Sequence, residues 1–390
     1  MVNAQTRLDF LRTDELLFFM SFVPYLIIEM FGTTMFPMPY FLHSVAKAVL
    51  IFAVISIFFK KTWSVYFFLV SAIFSLTGIL VWNATSDTGV LALTILMMGA
   101  YKIDVRKIIT VYLIIAGFIT ALAFAFSLLD LIPNLQYIRP DTGAVRNSFG
   151  IIYPTDFAAH IFYLYLFSAY LFLWKRPWLL SVIGVLTALF LIRFSDARLD
   201  ALTILITAVI FVVIRYLQKG RFHKILSLSA LTTVFLAYLS YYLTAHFNAR
   251  QGLYARINGL TSGRLSLGKS ALDLYGIKPF GQVIEFIGNG GSTETVSNYN
   301  FVDSSYLKVM LLYGSVFIIL FVALTTVRSI QSVTSNDYYT LAVLIAVAIN
   351  SMVAHHLIEP YYNVFSILLL ADFVQDRDRR IKSVYLTDVT

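Results

Sequence analysis

Apolar runs about as long as a bilayer is thick recur through nearly the whole chain, and no soluble fold accommodates them. A spanning helix needs about 20 mainly apolar residues. Such stretches lie at Leu16–Phe36, Phe41–Phe59, Trp63–Trp82, Gly89–Tyr101, Ile108–Leu129, Thr155–Trp174, Pro177–Ile192, Leu199–Leu217, Ile225–Leu243, Ser305–Val327, Tyr338–His356 and Pro360–Val374. They predict an all-α polytopic membrane protein with about 12 transmembrane helices, as one integral membrane domain over 1–390. Gly89–Tyr101 is the shortest, and a tilted or re-entrant segment fits it. Leu16–Phe36 is too long for a signal-peptide core and has no small-x-small cleavage site, so it reads as a retained helix. Only 13% of residues are charged, against about 25% in soluble domains. The lack of cysteine excludes disulfides and thiolate metal sites. No second broken span matches Gly89–Tyr101, so an inverted-repeat transporter is not indicated.

The net charge of +8 would suit nucleic acid if it formed a stripe on a soluble surface. Its placement suits a membrane instead. With twelve spans and the N-terminus inside, basic residues such as Lys60, Lys61, Lys102, Lys107, Lys175, Arg215 and Arg328 fall on cytoplasmic segments, as the positive-inside rule requires. Both termini are then expected in the cytoplasm. These clusters set topology and meet anionic lipid head groups, so nucleic-acid binding is not expected. Glu29 and Lys47 are left as intramembrane charges without a named partner.

The same parity places one large, mostly polar extracytoplasmic loop at 245–304. Within it Leu265, Gly268, Leu272 and Tyr275 form one stripe while Ser266, Lys269, Ser270 and Asp273 fall away. That spacing predicts an amphipathic helix capping the bundle or lying on the membrane. Thr261 or Ser262 would cap its start, and Gly276 and Pro279 would stop it. Gly263–Ser270 matches the phosphate-loop pattern G-x-x-x-x-G-K-S. That mechanism needs a buried strand before the loop, and NARQGLYARINGLTS is none.

Arginine on this face is the unusual feature. Arg146, Arg193, Arg198 and Arg264 stand near membrane edges in three separate loops. An arginine there costs desolvation unless it meets an anion, and its planar fork fits phosphate oxygens. Snorkelling, or salt bridges with Asp196 or Asp200, would also account for any one of them. Convergence on a lipid pyrophosphate accounts for all. His355, His356 and Glu359 end the eleventh run. If helical, the two histidines point about 100° apart, a poor geometry for a shared metal ion. An interfacial cluster or a proton-transfer role remains. Tyr254, Tyr275, Tyr299 and Tyr306 could form an interfacial belt or, as the resemblance given next implies, stack on sugars.

Four patches carry a resemblance. RNSFG at Arg146–Gly150 with Tyr153–Thr155 is similar to an R-x-x-F-G…H-P-N pattern. Ser195–Arg198 resembles S-x-S-R-T. Thr261–Arg264 with Lys278–Gly281 resembles S-G-R…P-x-x-G. Asp303–Leu307 with Gly314 resembles H-N-x-Y-L…G. Together, over about Arg146–Gly314, they resemble the Wzy-type polysaccharide polymerases of the O-antigen ligase/polymerase superfamily. The resemblance implies a glycosyltransferase of the bacterial cytoplasmic membrane, without metal or other cofactor. It implies polymerisation of undecaprenyl-pyrophosphate-linked repeat units on the outer face for capsule, exopolysaccharide or O-antigen. Partners implied are lipid-linked donor and acceptor, membrane lipids, a flippase and a chain-length regulator. Asp303 stands where the ligases carry histidine, which argues against a ligase. Arg146, Arg193, Arg198 and Arg264 would hold the pyrophosphate. Asp303, Arg264 and Arg198 would be catalytic, with Tyr306, His355, His356 or Glu359 in sugar contact or proton transfer. The alternatives are a ligase, a lipid-linked oligosaccharide flippase or transporter, and a non-catalytic assembly partner.

Overall fold

The computed structural model of the chain describes residues 12–139, 142–218, 222–294 and 296–373. The expected cytoplasmic termini, with Arg7, Arg377, Arg379, Arg380 and Lys382, lie outside the described residues. In order come α1 (Thr13–Gly32), α2 (Phe41–Ala48), α3 (Leu50–Phe58), α4 (Val65–Thr85), α5 (Gly89–Gly99) and α6 (Val105–Leu128). A short antiparallel hairpin follows, β1 (Gln136–Ile138) with β2 (Val145–Asn147), Tyr137 opposite Arg146. Then come α7 (Pro154–Leu171), α8 (Pro177–Phe194), α9 (Arg198–Leu217), α10 (His223–Ser229) and α11 (Thr232–Ala245). The last helices are α12 (Gly252–Leu260), α13 (Arg264–Tyr275), α14 (Ser305–Thr334) and α15 (Tyr338–Asn350).

Seven helical stretches are long and apolar enough to cross a membrane, with α2 and α3 counted as one; α10 and α11, bent by 44°, make an eighth if they form one span. The expectation is therefore met as a mostly helical membrane protein, with seven or eight stretches of spanning length among the described residues and not twelve. The physical reasons differ. Helix α7 has membrane length but carries His160, Tyr163, Tyr165 and Tyr170, and nearly all of it is buried. It is a central helix packed by α6, α8, α9 and α15, so its polar groups meet protein and not lipid. Helices α5 and α15 have only 11 and 13 residues. The last apolar run is not an α-helix. Residues 351–363 are turns, and Val364–Leu370 is a 3₁₀ helix. Non-helical backbone is tolerated within a membrane protein where protein surrounds it, and every residue of Val364–Leu370 is buried. Ser305 N donates to Ser351 O (2.9 Å), and Ser305 Oγ accepts from Leu357 N (3.1 Å). Asn363 Nδ2 donates to Leu357 O (2.7 Å).

Basic and acidic groups at one end of the bundle lock together. Lys60 Nζ lies 3.2 Å from Asp14, Lys107 Nζ lies 2.7 Å from Glu15, and Arg12 reaches both acids. Glu29 finds His43, 3.8 Å away.

The long loop is threaded into a helix. Within α14, Gly314 is non-helical (φ 92°, ψ 163°). Lys278 O and Pro279 O accept from Ser315 N and Val316 N (both 3.0 Å), and Gln282 N donates to Leu312 O (3.2 Å). The backbone groups freed by the break are thus paired by loop residues 278–282, which also satisfies a loop that could not otherwise enter the bundle. The approach is too close for side chains. A Cβ on Gly314 would lie 2.3 Å from Pro279 O, and one on Gly281 (φ 84°) 2.1 Å from Leu312 O.

The amphipathic helix forms as α13, burying Leu265, Gly268 and Ala271 against α11 and α14. It caps the bundle. Neither Thr261 nor Ser262 caps it. Gly263 is the N-cap at φ 84°, and Asn258 Oδ1 accepts from Ser266 N (3.0 Å) instead. Helix α12 was not expected. The phosphate-loop letters lie almost wholly inside α13, so no loop exists there to cradle phosphates.

Gly314→Ala should destabilise the protein in detergent by more than about 3 kcal/mol and expose residues 278–282 to protease. Gly252→Ala, in open space on α12, should be neutral or stabilising by up to about 1 kcal/mol. Thermal unfolding of the two variants side by side reads the difference.

Candidate active site

The end of the bundle opposite the Asp14–Lys60 cluster opens into a cavity of about 1190 Å³. Three sequence-distant segments wall it: the β1–β2 hairpin, the turn between α8 and α9, and the 245–304 loop with α13. Local structure sets each arginine. Arg146 is the middle residue of β2, so the hairpin register fixes its direction. Arg198 and Arg264 each open a helix, α9 and α13, directly after a tight turn in which Asp196 (φ 46°) or Gly263 (φ 84°) is left-handed. Asp303 precedes α14.

Arg146, Arg198, Arg264 and Asp303 all line this cavity. Arg193 does not; its guanidinium lies over the Phe194 ring, 5.5 Å from the centroid. Arg139, which sequence reasoning left out of the site, does line it and pairs with Asp196, also donating to Asp196 O (3.1 Å). Arg198 Nε donates to the other oxygen of the same carboxylate (2.7 Å). Asp196 therefore holds two guanidinium groups. Arg264 Nε lies 3.0 Å from Asp303 Oδ2, an ion pair without hydrogen-bond alignment, and is largely buried. Arg146 differs. It donates to Ser195 O (3.3 Å) and Tyr153 Oη (3.4 Å) and packs on the Tyr153 ring. Among the described residues it is the cavity arginine bonded only to neutral groups. Four arginines face four carboxylates, Asp196, Asp200, Glu294 and Asp303. An incoming anion would thus exchange with internal counter-ions as well as meet Arg146.

Of the tyrosines proposed for sugar contact, Tyr299 lines the cavity, while Tyr254 and Tyr275 do not. Tyr306 is fully buried and donates to Ala348 O (3.0 Å), so it is a packing residue. Tyr137 and Tyr153 line the cavity unanticipated, edge to face at 4.8 Å. Burial, with Tyr153 and Asp156 nearby, pushes Tyr137 up to about 12; burial and Asp303 also raise Tyr299. Both stay neutral hydrogen-bond donors.

Behind this wall lies a second polar cluster. His356 Nδ1 is 2.7 Å from Glu359 Oε2, and its Nε2 is 3.5 Å from Asp156 Oδ1. Lys308 Nζ is 3.6 Å from Glu359 Oε1. The His355 ring lies tilted beside that of His356, with 3.9 Å between centroids. Burial alone would lower His356, but Glu359 and Asp156 outweigh it and hold it up to about 9; burial and the neighbouring His356 lower His355. His355, His356 and Glu359 are thus grouped, but they do not line the arginine cavity. Asp156, which completes the group, was missed; nothing in PTDF marks it.

No protein-family model matches the chain, and neither curated proteins nor solved structures returned a match.

Tyr137 Oη reaches Asn289 O (2.8 Å) and Ser292 O (3.0 Å), tying the hairpin to the long loop. Tyr137→Phe should cost about 1 kcal/mol and speed proteolytic cleavage near residues 289–294, read by mass spectrometry of the fragments.

Proposed function

We propose that the protein is a membrane glycosyltransferase that polymerises undecaprenyl-pyrophosphate-linked repeat units. The single observation that carries this is the meeting of Arg146, Arg198, Arg264 and Asp303, from three separate loops, in one cavity at the end of a membrane bundle. An open, arginine-lined cavity at the end of a membrane bundle suits an amphipathic donor whose charge is a pyrophosphate.

In the proposed reaction an acceptor sugar hydroxyl attacks the anomeric carbon of the lipid-linked glycan. The new glycosidic C–O bond forms as the bond from that carbon to the pyrophosphate oxygen breaks, and lipid pyrophosphate leaves. Arg264, Arg198 and Arg146 stabilise the negative charge that develops on it. Asp303 takes the hydroxyl proton. Its ion pair with Arg264 links the two jobs: as Arg264 turns to the leaving group, Asp303 is released to act as base. Arg139 is a positioning group that shares Asp196 with Arg198. Tyr153 and Tyr299 offer flat faces for sugar rings. The active face is outward from the bacterial cytoplasmic membrane.

Purified protein given a lipid-pyrophosphate-linked repeat unit should yield a ladder of longer lipid-linked glycans. Arg264→Lys, which keeps charge but loses the fork, should slow it by about 10²-fold or more. Asp303→Asn should slow it by roughly 10²–10⁴-fold. A cognate repeat unit left unextended by folded wild-type protein would refute the polymerase reading, and wild-type rates in both variants would refute the site.

A further inference from the structure

We propose that Asp156, His355 and His356 form a binding site for a divalent transition-metal ion of the zinc class. The site lies behind the arginine cavity, goes beyond glycosyl transfer and stands independently of it.

Adjacent histidines are poor joint ligands on a helix, where their side chains diverge by about 100°. That objection does not apply here. Helix α15 ends at Asn350, and His355 and His356 lie in the non-helical stretch beyond it. Their rings sit 3.9 Å apart. Asp156 approaches from the first turn of α7. One ligand atom from each of the three lies within 4.8 Å of the other two. His356 Nε2 and Asp156 Oδ1, at 3.5 Å, already have the separation of two ligands on one tetrahedral ion, about 3.4 Å for bonds near 2.1 Å. Binding an ion requires side-chain rotation, His355 above all, to close the remaining gaps.

The surroundings supply what such a site needs. His356 donates from Nδ1 to Glu359, which turns Nε2 toward Asp156. A carboxylate holding the far nitrogen of a histidine is the usual outer support of a metal ligand. Lys308 offsets the Glu359 charge, so once an ion displaces the His356 proton, Asp156 is the ligand that brings negative charge to it. His355 touches Phe301 edge-on, and neither of its ring nitrogens has a hydrogen-bond partner among the described residues. Two imidazoles and one carboxylate suit zinc, copper, nickel or iron, not magnesium or calcium. Three protein ligands leave a position for water. Bound there, the ion would pin the 351–363 segment to the start of α7. The rival occupant is a proton, held by His356 between Asp156 and Glu359.

The test uses full-length, untagged protein in detergent, stripped with EDTA and titrated with Co²⁺ alone, then challenged with Zn²⁺. Visible absorption of bound Co²⁺ should saturate near about one equivalent, with zinc displacing it. His355→Ala and Asp156→Asn should each weaken binding at least about 10-fold, while His246→Ala, at an exposed histidine elsewhere, should not. Zn²⁺ should raise the Tm of the wild type and not of those two variants. If His355→Ala fails to fold, the near-isosteric Asp156→Asn carries the comparison. Folded wild type that takes up no stoichiometric Co²⁺ or Zn²⁺ would overturn the proposal in favour of the proton, as would unchanged affinity in Asp156→Asn. Neither outcome bears on the ladder assay.

Discussion

A backbone break inside a membrane helix must be repaired by protein, because lipid offers no hydrogen bonds. Helix α14 breaks at Gly314, and the repair comes from residues 278–282 of the long loop. This exchange organises the site. It pins the loop in mid-course, so α13 must fold back over α11 and α14. Arg264 at the start of α13 is thereby carried to Asp303 at the start of α14. The two glycines are required by space as well as by φ, since a carbonyl oxygen occupies the position where each Cβ would stand.

The charges around the cavity follow a related rule. Guanidinium groups withdrawn from water need counter-charges. Asp196 serves the largely buried Arg139 and also the half-exposed Arg198, and Asp303 serves the largely buried Arg264. The resulting site is nearly neutral but rich in donors. A neutral site can stay folded without ligand and still exchange internal carboxylates for phosphate oxygens, at less cost than exposing bare arginines.

How much of this the sequence disclosed depended on the range of the signal. Apolar length is a local property, and it identified a helical membrane protein and the position of nearly every helix. The arginine pattern marked the loops that meet, although only tertiary structure could separate Arg146, Arg198 and Arg264, which reach the cavity, from Arg193, which turns to Phe194. The helix count is met only in part, with seven or eight stretches of spanning length and composition among the described residues. Hydropathy treats an apolar run as lipid-facing, whereas the described part of the last run, residues 360–373, is apolar because protein encloses it. Helix α7 stands where the apolar run Thr155–Trp174 placed a span, and protein surrounds its tyrosines and histidine at the centre of the bundle. Arg139 and Asp156 escaped notice because their roles arise from partners 57 and 200 residues away, Asp196 and His356.

The relation between the two polar clusters has a physical consequence. Asp156 follows Thr155, which lines the arginine cavity, and it faces His356 on the other side. The first turn of α7 is therefore a shared wall. Proline at its first position presets that turn and removes a donor that would need a partner. A shift in the 351–363 segment would act on Asp156, and through the α7 terminus on Tyr153, whose ring supports Arg146. Arg146 bonds only to neutral groups, so no carboxylate fixes it independently. Its aim depends on the hairpin register and on Tyr153, and through Tyr153 on the packing behind the wall. The least neutralised cation of the cavity is thus held through Tyr153, next to the α7 turn that carries Asp156.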